Sequence, residues 1–596
     1  MKVPTTLIGL QSLSLGLFLG QVASTPLPPK PSRATVTDGT ATLDQGTVKG
    51  FTDDYGNSVF LGIPFAQTTG GENRWKAPKD VSKLKKGEVL DATKYGATCP
   101  QAITGTTYSQ QDEDCLNLNI WAPSSNSKSP RAPTFPQKPN GPHPHHPPGP
   151  PSGPAGGPPG PPGPPASPPG LDTPGLPVFV YMYGGAMVTG SSSNPQLVGE
   201  NFARKGVIFV SFNTRESLWA YPNSAELANG EESQNFGILD VDKALQWVRD
   251  NIAQFGGNPE HIVFGGHSSG SVQVDHYLWN HPDTFLKGAV QMAANAKSGP
   301  AVGPTNEALD LVAKEVGCQT GEGQLECLRK VDMYAFQTEA FNATLNTYFT
   351  PVVDEKTRYQ DYASRFAAGN YASHVPLLTG NSDKEGALFG LVYGGENTVF
   401  SEWLNTFDAD VAEIPKDLIE AAYDIADYST VSEMSGAQYG DARFFCPVDH
   451  FIDMRSEVQD TWSYRFFGNY SNLLPLPVAY PTHGAEISFF FGGNGAFAGM
   501  EGVTAEQQAL ADFQNDWFVE FIKNPAAGPG WDKATPRSGP IAKLGVPGNE
   551  LAVEIGNTAD FNARCQSVYN PFLPKYPVIQ SVLSGVMDMV EGVIGN

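Results

Sequence analysis

The chain predicts an α/β fold, one large domain with helices flanking a central, mainly parallel β-sheet. Three observations carry this. Apolar strand-like runs alternate with helical patterns along most of the 596 residues, the order that builds parallel sheets through crossover helices. The pentapeptide Gly266-His267-Ser268-Ser269-Gly270 directly follows the apolar run Ile262-Val263-Phe264, as a sharp strand-to-helix turn does. No long linker separates two self-sufficient patterns, and 40% hydrophobic with 11% aromatic residues supplies a substantial core.

The elements follow in chain order. Leu116 to Trp121 and Pro177 to Tyr183 read as strands. Between them residues 124–174 are Pro, Gly and Ser with few apolar residues. Pro158-Pro159-Gly160-Pro161-Pro162-Gly163 gives collagen-like triplets, far too few for a triple helix. The segment is expected to be a disordered insertion in a surface loop, not a domain boundary. Its His143-Pro144-His145-His146 reads as a solvated run in preference to a metal site. Val207 to Phe212 has a buried-strand pattern. Asn235 to Phe255 reads as a helix with apolar Ile238, Val241, Ala244, Leu245 and Val248, ended by Gly256-Gly257-Asn258-Pro259. Ile262 to Gly265 is the next strand, then the serine turn, then a helix through Leu278. Ala289 to Met292, Val375 to Thr379 and Tyr464 to Phe467 are later strands. Val578 to Ile594 is apolar but contains Asp588 and Glu591, which predicts an amphipathic closing helix.

Charge and the N-terminus bound the setting. A formal net charge of −24 argues against a nucleic-acid partner and suits solubility in an acidic extracellular medium. Lys2, the short apolar run Leu7 to Gly20 and the small residues Val22-Ala23-Ser24 predict a secretory signal over residues 1–24. That run is too short for a membrane span, and no other stretch is long and apolar enough. The mature chain, residues 25–596, is then extracellular. Its cysteines, Cys99, Cys115, Cys318, Cys327, Cys446 and Cys565, are even in number, which favours disulfides over metal ligands. Spacing alone does not choose the pairing. Asn342 and Asn469 stand in glycosylation sequons.

A serine on such a turn is useful as a nucleophile if a base and an orienting carboxylate reach it. The architecture orders these as Ser, then Asp or Glu, then His. Of the late histidines, His450 lies in the helix-like Val448-Asp449-His450-Phe451-Ile452, where a structural role is the default. His483 lies in the loop Tyr480-Pro481-Thr482-His483-Gly484-Ala485, where a base belongs. The strand Val375 to Thr379 ends in Gly380-Asn381-Ser382-Asp383-Lys384-Glu385-Gly386. Asp383 and Glu385 both leave it, and the pattern leaves the choice open. Tyr183-Gly184-Gly185-Ala186 follows a strand, so its amides and that of Ser269 suit an oxyanion hole.

Further motifs carry a family resemblance. They are Phe60-Leu61-Gly62-Ile63-Pro64-Phe65-Ala66, Glu113-Asp114-Cys115-Leu116-Asn117-Leu118-Asn119, Asn235-Phe236-Gly237-Ile238-Leu239-Asp240, Phe255-Gly256-Gly257-Asn258-Pro259 and His483-Gly484-Ala485-Glu486-Ile487. With the serine turn they resemble the type-B carboxylesterase/lipase family, the α/β-hydrolases that include cholinesterases. The resemblance implies an α/β-hydrolase fold and a secreted serine carboxylic-ester hydrolase acting on a small-molecule or lipid ester. Ser268 would be the nucleophile, His483 the base and Glu385 the acid, displacing Asp383. Gly185, Ala186 and Ser269 would be the oxyanion donors. No metal or cofactor is implied. The pairs Cys99–Cys115, Cys318–Cys327 and Cys446–Cys565 are implied too, the last because Cys565 precedes Phe572-Leu573-Pro574-Lys575. A long-chain lipase or sterol esterase is the nearest alternative, and a non-catalytic adhesion homologue a more distant one.

The departures matter. His267 replaces the usual Glu before the nucleophile, Ala186 replaces a third glycine, and Gln291-Met292-Ala293 replaces Gln-Ser-Gly. The loop from Cys99 to Cys115 is short and lacks Trp, which argues against a choline site and an interfacial lid.

Overall fold

The structure, a computed structural model, describes residues 39–101, 110–123, 175–228, 230–294, 307–340, 349–393, 414–473 and 480–572. The signal-like N-terminus, the 124–174 insertion, Asn342, part of the Cys99–Cys115 loop and the run from Val578 lie outside these residues.

Eleven strands form one sheet: β1 (Phe51–Thr52), β2 (Ser58–Pro64), β3 (Asn117–Ala122), β4 (Leu176–Met182), β5 (Ile208–Phe212), β6 (Gly257–His267), β7 (Gly288–Met292), β8 (Leu377–Ser382), β9 (Thr461–Phe466), β10 (Pro540–Leu544) and β11 (Glu554–Asn557). Their spatial order is β11-β10-β9-β8-β7-β6-β4-β5-β3-β2-β1. The pairings from β10 across to β5 are parallel, and those at the two ends are antiparallel. The mainly parallel sheet is therefore what the alternation predicts. A small separate sheet joins Thr40–Leu43, Gly46–Lys49 and Val89–Asp91.

The central strands are buried on both faces, which is why they read as unbroken apolar runs. In β4 Val178, Val180 and Met182 enter one core with Val241, Leu245 and Val248, while Phe179 and Tyr181 enter the opposite core with Phe202, Phe209 and Phe518. The period of two along the strand puts alternate side chains on the two faces. The helices that matter for the site are α1 (Phe236–Asn251), α2 (Ser269–Asn280), α3 (Ala387–Tyr393), α4 (Val431–Gly440), α5 (Cys446–Arg455) and α6 (Ala505–Lys523). The α1 helix gives way to a 3-10 turn, Ile252–Phe255, closed by Gly256 at φ 85°, a left-handed glycine cap.

Two strands run beyond their sequence-predicted bounds. β6 starts at Gly257, within the stretch read as a terminator, because that residue pairs with Leu176. β8 continues through the polar Gly380-Asn381-Ser382, which pair with Tyr464, Arg465 and Phe466. Sheet pairing overrides local polarity there.

Candidate active site

The C-terminal ends of β4, β6, β8 and β9 point the same way, and the loops that leave them converge. Ser268 joins β6 to α2 at φ 56° and ψ −121°. A non-glycine residue at such angles costs about 1–3 kcal/mol and persists only where its surroundings demand it. The demand is visible. A Cβ on Gly266 would lie 2.4 Å from the Gly270 backbone, and one on Gly270 would lie 2.4 Å from the Met182 carbonyl oxygen. Only glycine lets the turn close against β4. The Ser268 N–H donates to the Met292 carbonyl at the end of β7 (2.9 Å), and its own carbonyl accepts from the Ser271 N–H and hydroxyl (2.9 and 2.6 Å).

His483 reaches this serine. Its Nε2 lies 2.9 Å from Ser268 Oγ, and its Nδ1 lies 2.6 Å from Glu385 Oε2. Glu385 is fully buried, and its other oxygen accepts the Ser382 N–H at 2.7 Å. Asp383 turns elsewhere: its carboxylate takes Arg465 Nε at 2.8 Å. The two acids left open by the sequence pattern thus have different partners. The loops that carry Glu385 and His483 are stitched together by Lys384 N–H to the Pro481 carbonyl and Leu388 N–H to Thr482 Oγ1, both 3.0 Å. His450 lies on α5.

Aromatic rings hold the imidazole. Phe389 on α3 and Phe444 after α4 lie with ring centroids 5.3 and 5.0 Å from that of His483, and Tyr439 packs on Phe389 at 4.5 Å. His267 lies on it too, centroids 4.8 Å apart. Burial, and then His483, hold His267 well below the usual histidine range. Behind it, Glu486 accepts the Ser382 hydroxyl at 2.7 Å. Burial, and then the charge of Glu385, push the Glu486 carboxyl up to about 8. Sequence reading assigned no role to Glu486, Ser382 or these aromatic residues. Glu486 stood inside the His483 motif and Ser382 inside the loop of Glu385, but nothing local marks their contact.

Gly184 backs onto the serine so closely that a Cβ there would lie 2.8 Å from Ser268 Cβ. Gly185, Ala186 and Met187 follow at φ 142°, 57° and 62°. Ala186 is exposed, and Ser269 opens α2. The structure pairs Cys99 with Cys115, Cys318 with Cys327 and Cys446 with Cys565. Asn469 is exposed on the segment after β9. Among the described residues no cluster of three His, Cys, Asp or Glu side chains is arranged to hold a metal, and no helix is long and apolar enough to cross a membrane.

Known proteins share this architecture. The carboxylesterase family model matches residues 37–560. The para-nitrobenzyl esterase of Bacillus subtilis is 28% identical over 505 residues, spanning 81% of this chain and 90% of that protein. Secreted lipase 5 of Gibberella zeae is 25% identical over 532 residues, spanning 81% and 86%. The cholinesterase of Mus musculus is 28% identical over 479 residues, spanning 73% and 70%. A solved PNB esterase aligns at TM-score 0.67 with 25% identity, covering 89% of this chain and 99% of that one. With the match spanning nearly the whole chain, the protein belongs to the carboxylesterase family, an α/β-hydrolase and a carboxylic ester hydrolase.

Proposed function

We propose that the protein is a secreted serine esterase that works through Ser268, His483 and Glu385 and an acyl-enzyme intermediate. One observation carries the reading: the unbroken hydrogen-bonded chain from Glu385 through His483 to Ser268. Ser268 Oγ attacks the ester carbonyl as His483 Nε2 takes its proton. Negative charge then develops on the carbonyl oxygen, where the amides of Gly185, Ala186 and Ser269 are the donors. His483 returns the proton to the departing alkoxide, and the alcohol leaves. Water enters, His483 deprotonates it, and hydrolysis of the acyl-Ser268 ester releases the acid. Glu385 keeps the Nδ1 proton in place and stabilises the imidazolium. No step calls on a metal or cofactor.

The apolar ring surface of Phe389 and Tyr439 beside His483 favours esters with an apolar or aromatic part. The same surface, with the likeness to a secreted fungal lipase, supports a second reading as a lipase of long acyl chains. Export rests on the signal-like residues 1–24 and on the paired cysteines. Asn469 is then open to glycosylation.

The test is hydrolysis of p-nitrophenyl esters of graded acyl length by wild type and Ser268→Ala. Turnover by wild type with a loss of about 10⁴-fold or more in the variant supports the triad. The acyl-length optimum separates esterase from lipase. Wild type inert on every ester overturns the reading.

A further inference from the structure

We propose that Gln101 is a positioning residue that holds the turn Gly185–Gly190 in the shape from which its amides meet an oxyanion. The proposal rests on the role given above to Gly185 and Ala186. Three successive residues of this turn have positive φ, and two of them, Ala186 and Met187, are not glycine. Side chains resist that conformation, so contacts outside the turn must hold it.

Part of the hold is local. The Val188 and Thr189 N–H groups both donate to the Gly185 carbonyl at 3.1 Å. A Cβ on Gly185 would lie 1.8 Å from the Thr189 carbonyl oxygen, so the turn is closed tightly on itself. Two anchors then fix it to the body of the protein. The Ser217 N–H donates to the Met187 carbonyl at 2.8 Å. At the far arm, Gln101 engages Thr189 and Gly190 with its whole amide. Gln101 Oε1 accepts from Thr189 Oγ1 (2.5 Å) and Gly190 N–H (2.9 Å). Gln101 Nε2 donates to the carbonyls of Gly190 (2.8 Å) and Cys99 (3.1 Å). The backbone groups fix which end of the amide is which, because a peptide N–H only donates and a carbonyl only accepts.

Gln101 is itself immobilised. It is 7% exposed, so water competes weakly for these bonds. Its N–H donates to Gln111 Oε1 at 2.9 Å, and its carbonyl accepts from Gln337 Nε2, on the helix Met333–Ala340, which also reaches Gln111. Cys99 and Cys115 close the segment. The strained turn is therefore clamped by a buried side chain that touches no reacting atom.

The experiment compares wild type with Gln101→Glu and Gln101→Ala, each also in an Ala186→Gly background, with Ser268→Ala as a reference. Gln101→Glu keeps the size and the acceptor but turns a carboxylate on two carbonyls. Both variants are expected to lose about 10- to 100-fold in kcat at nearly unchanged KM, because a displaced oxyanion donor costs transition-state binding alone. Affinity for a boronic acid, which forms a tetrahedral adduct on the serine, should fall in step in both variants, by more than any fall in Tm accounts for. In the Ala186→Gly background the same change should cost less, since one of the two side chains that resist the turn is gone and only Met187 still needs the clamp. The proposal is overturned if kcat of both variants stays within about threefold of wild type. It is also overturned if the loss tracks Tm, or is the same in both backgrounds. Full turnover by Ser268→Ala would instead refute the reading of the site itself.

Discussion

His267 Nε2 and Glu486 Oε1 stand 3.8 Å apart, both buried, and neither atom has a hydrogen-bond partner among the described residues. The pair sits directly behind His483. A carboxylate oxygen and a ring nitrogen left without partners in such a place are costly. A proton on Glu486 gives the group a donor toward Nε2. It also leaves Glu385 as the anion facing His483.

That arrangement sets a stability slope with pH. The Glu486 carboxyl is raised from 4.5 to about 8 by burial and then by Glu385. The folded chain therefore keeps a proton that the unfolded chain releases between those values. The stability this contributes is complete below 4.5 and is lost as pH rises through about 8. His267, depressed by burial and then by His483, favours the fold above the unfolded histidine range. That opposite slope is common to any pair of proteins that both keep His267. Glu486→Gln removes the Glu486 slope while retaining a donor toward His267. The variant should gain on wild type between pH 5 and pH 8 by on the order of a few kcal/mol. Melting curves at the two pH values check this, and an equal Tm gap at both would contradict it.

The two acids at the end of β8 should behave oppositely. Glu385→Gln leaves His483 Nδ1 facing an amide and is expected to lower kcat about 10⁴-fold, with wild-type folding. Asp383→Asn only weakens the contact with Arg465, whose guanidinium also stacks on Phe445 and Phe561. Its kcat should stay within about threefold of wild type. Steady-state kinetics of both variants decide it. Equal losses would mean that Asp383 also supports the histidine.

The contrast marks what a linear pattern can carry. The serine turn was legible because its constraints lie within five residues: an apolar run, two glycines and a serine between them. The central strands were legible for the same kind of reason, since β5 and β7 are buried from end to end and β4 from Val178 onward. The choice between Asp383 and Glu385 was not a matter of spacing. Both leave one strand, and Arg465 on the neighbouring strand β9 settles which of them faces away. The ends of β6 and β8 escaped notice because polar and glycine residues there are held by pairing with distant strands. β10 and β11 are short and partly exposed, so their pattern is faint. The Gln101 clamp joins Gln101 and Gln111 of one disulfide-closed segment to the distant Gln337, and no local motif announces it.

The cysteine pairs should differ in weight. Cys446–Cys565 spans a sequence separation of 119 and ties the turn Cys565–Tyr569 to the start of α5, whereas Cys318–Cys327 spans only 9. In the chain-entropy model these closures are worth about 5 and about 2.5 kcal/mol. Cys446→Ser with Cys565→Ser should therefore lower the denaturation midpoint more than Cys318→Ser with Cys327→Ser. Urea unfolding of the two double variants makes the comparison. The reverse order would place the larger strain relief or residual structure at the Cys446 pair.

Removal of residues 124–174 should leave hydrolysis intact. The segment leaves after β3 and returns at β4, and those ends lie at the foot of the sheet. Ala122 pairs with Ser58, and Leu176 pairs with Gly257 at the start of β6. Ser268 lies two residues beyond Gly266, which pairs with Met182 at the far end of β4; the six residue steps from Leu176 to Met182, at about 3.3 Å each, already put it more than about 20 Å away. One strand, β5, separates β3 from β4, so a gap of about 10 Å has to be bridged. A short Gly/Ser link spans it without strain. The shortened protein should keep kcat/KM within about twofold on small p-nitrophenyl esters. A large loss in a variant that still melts like wild type would mean that the segment reaches around the sheet to the serine. Unchanged kinetics would free the segment for work outside the active site, such as attachment to a wall or surface, and a comparison of where the two proteins accumulate in culture would then show whether it has one.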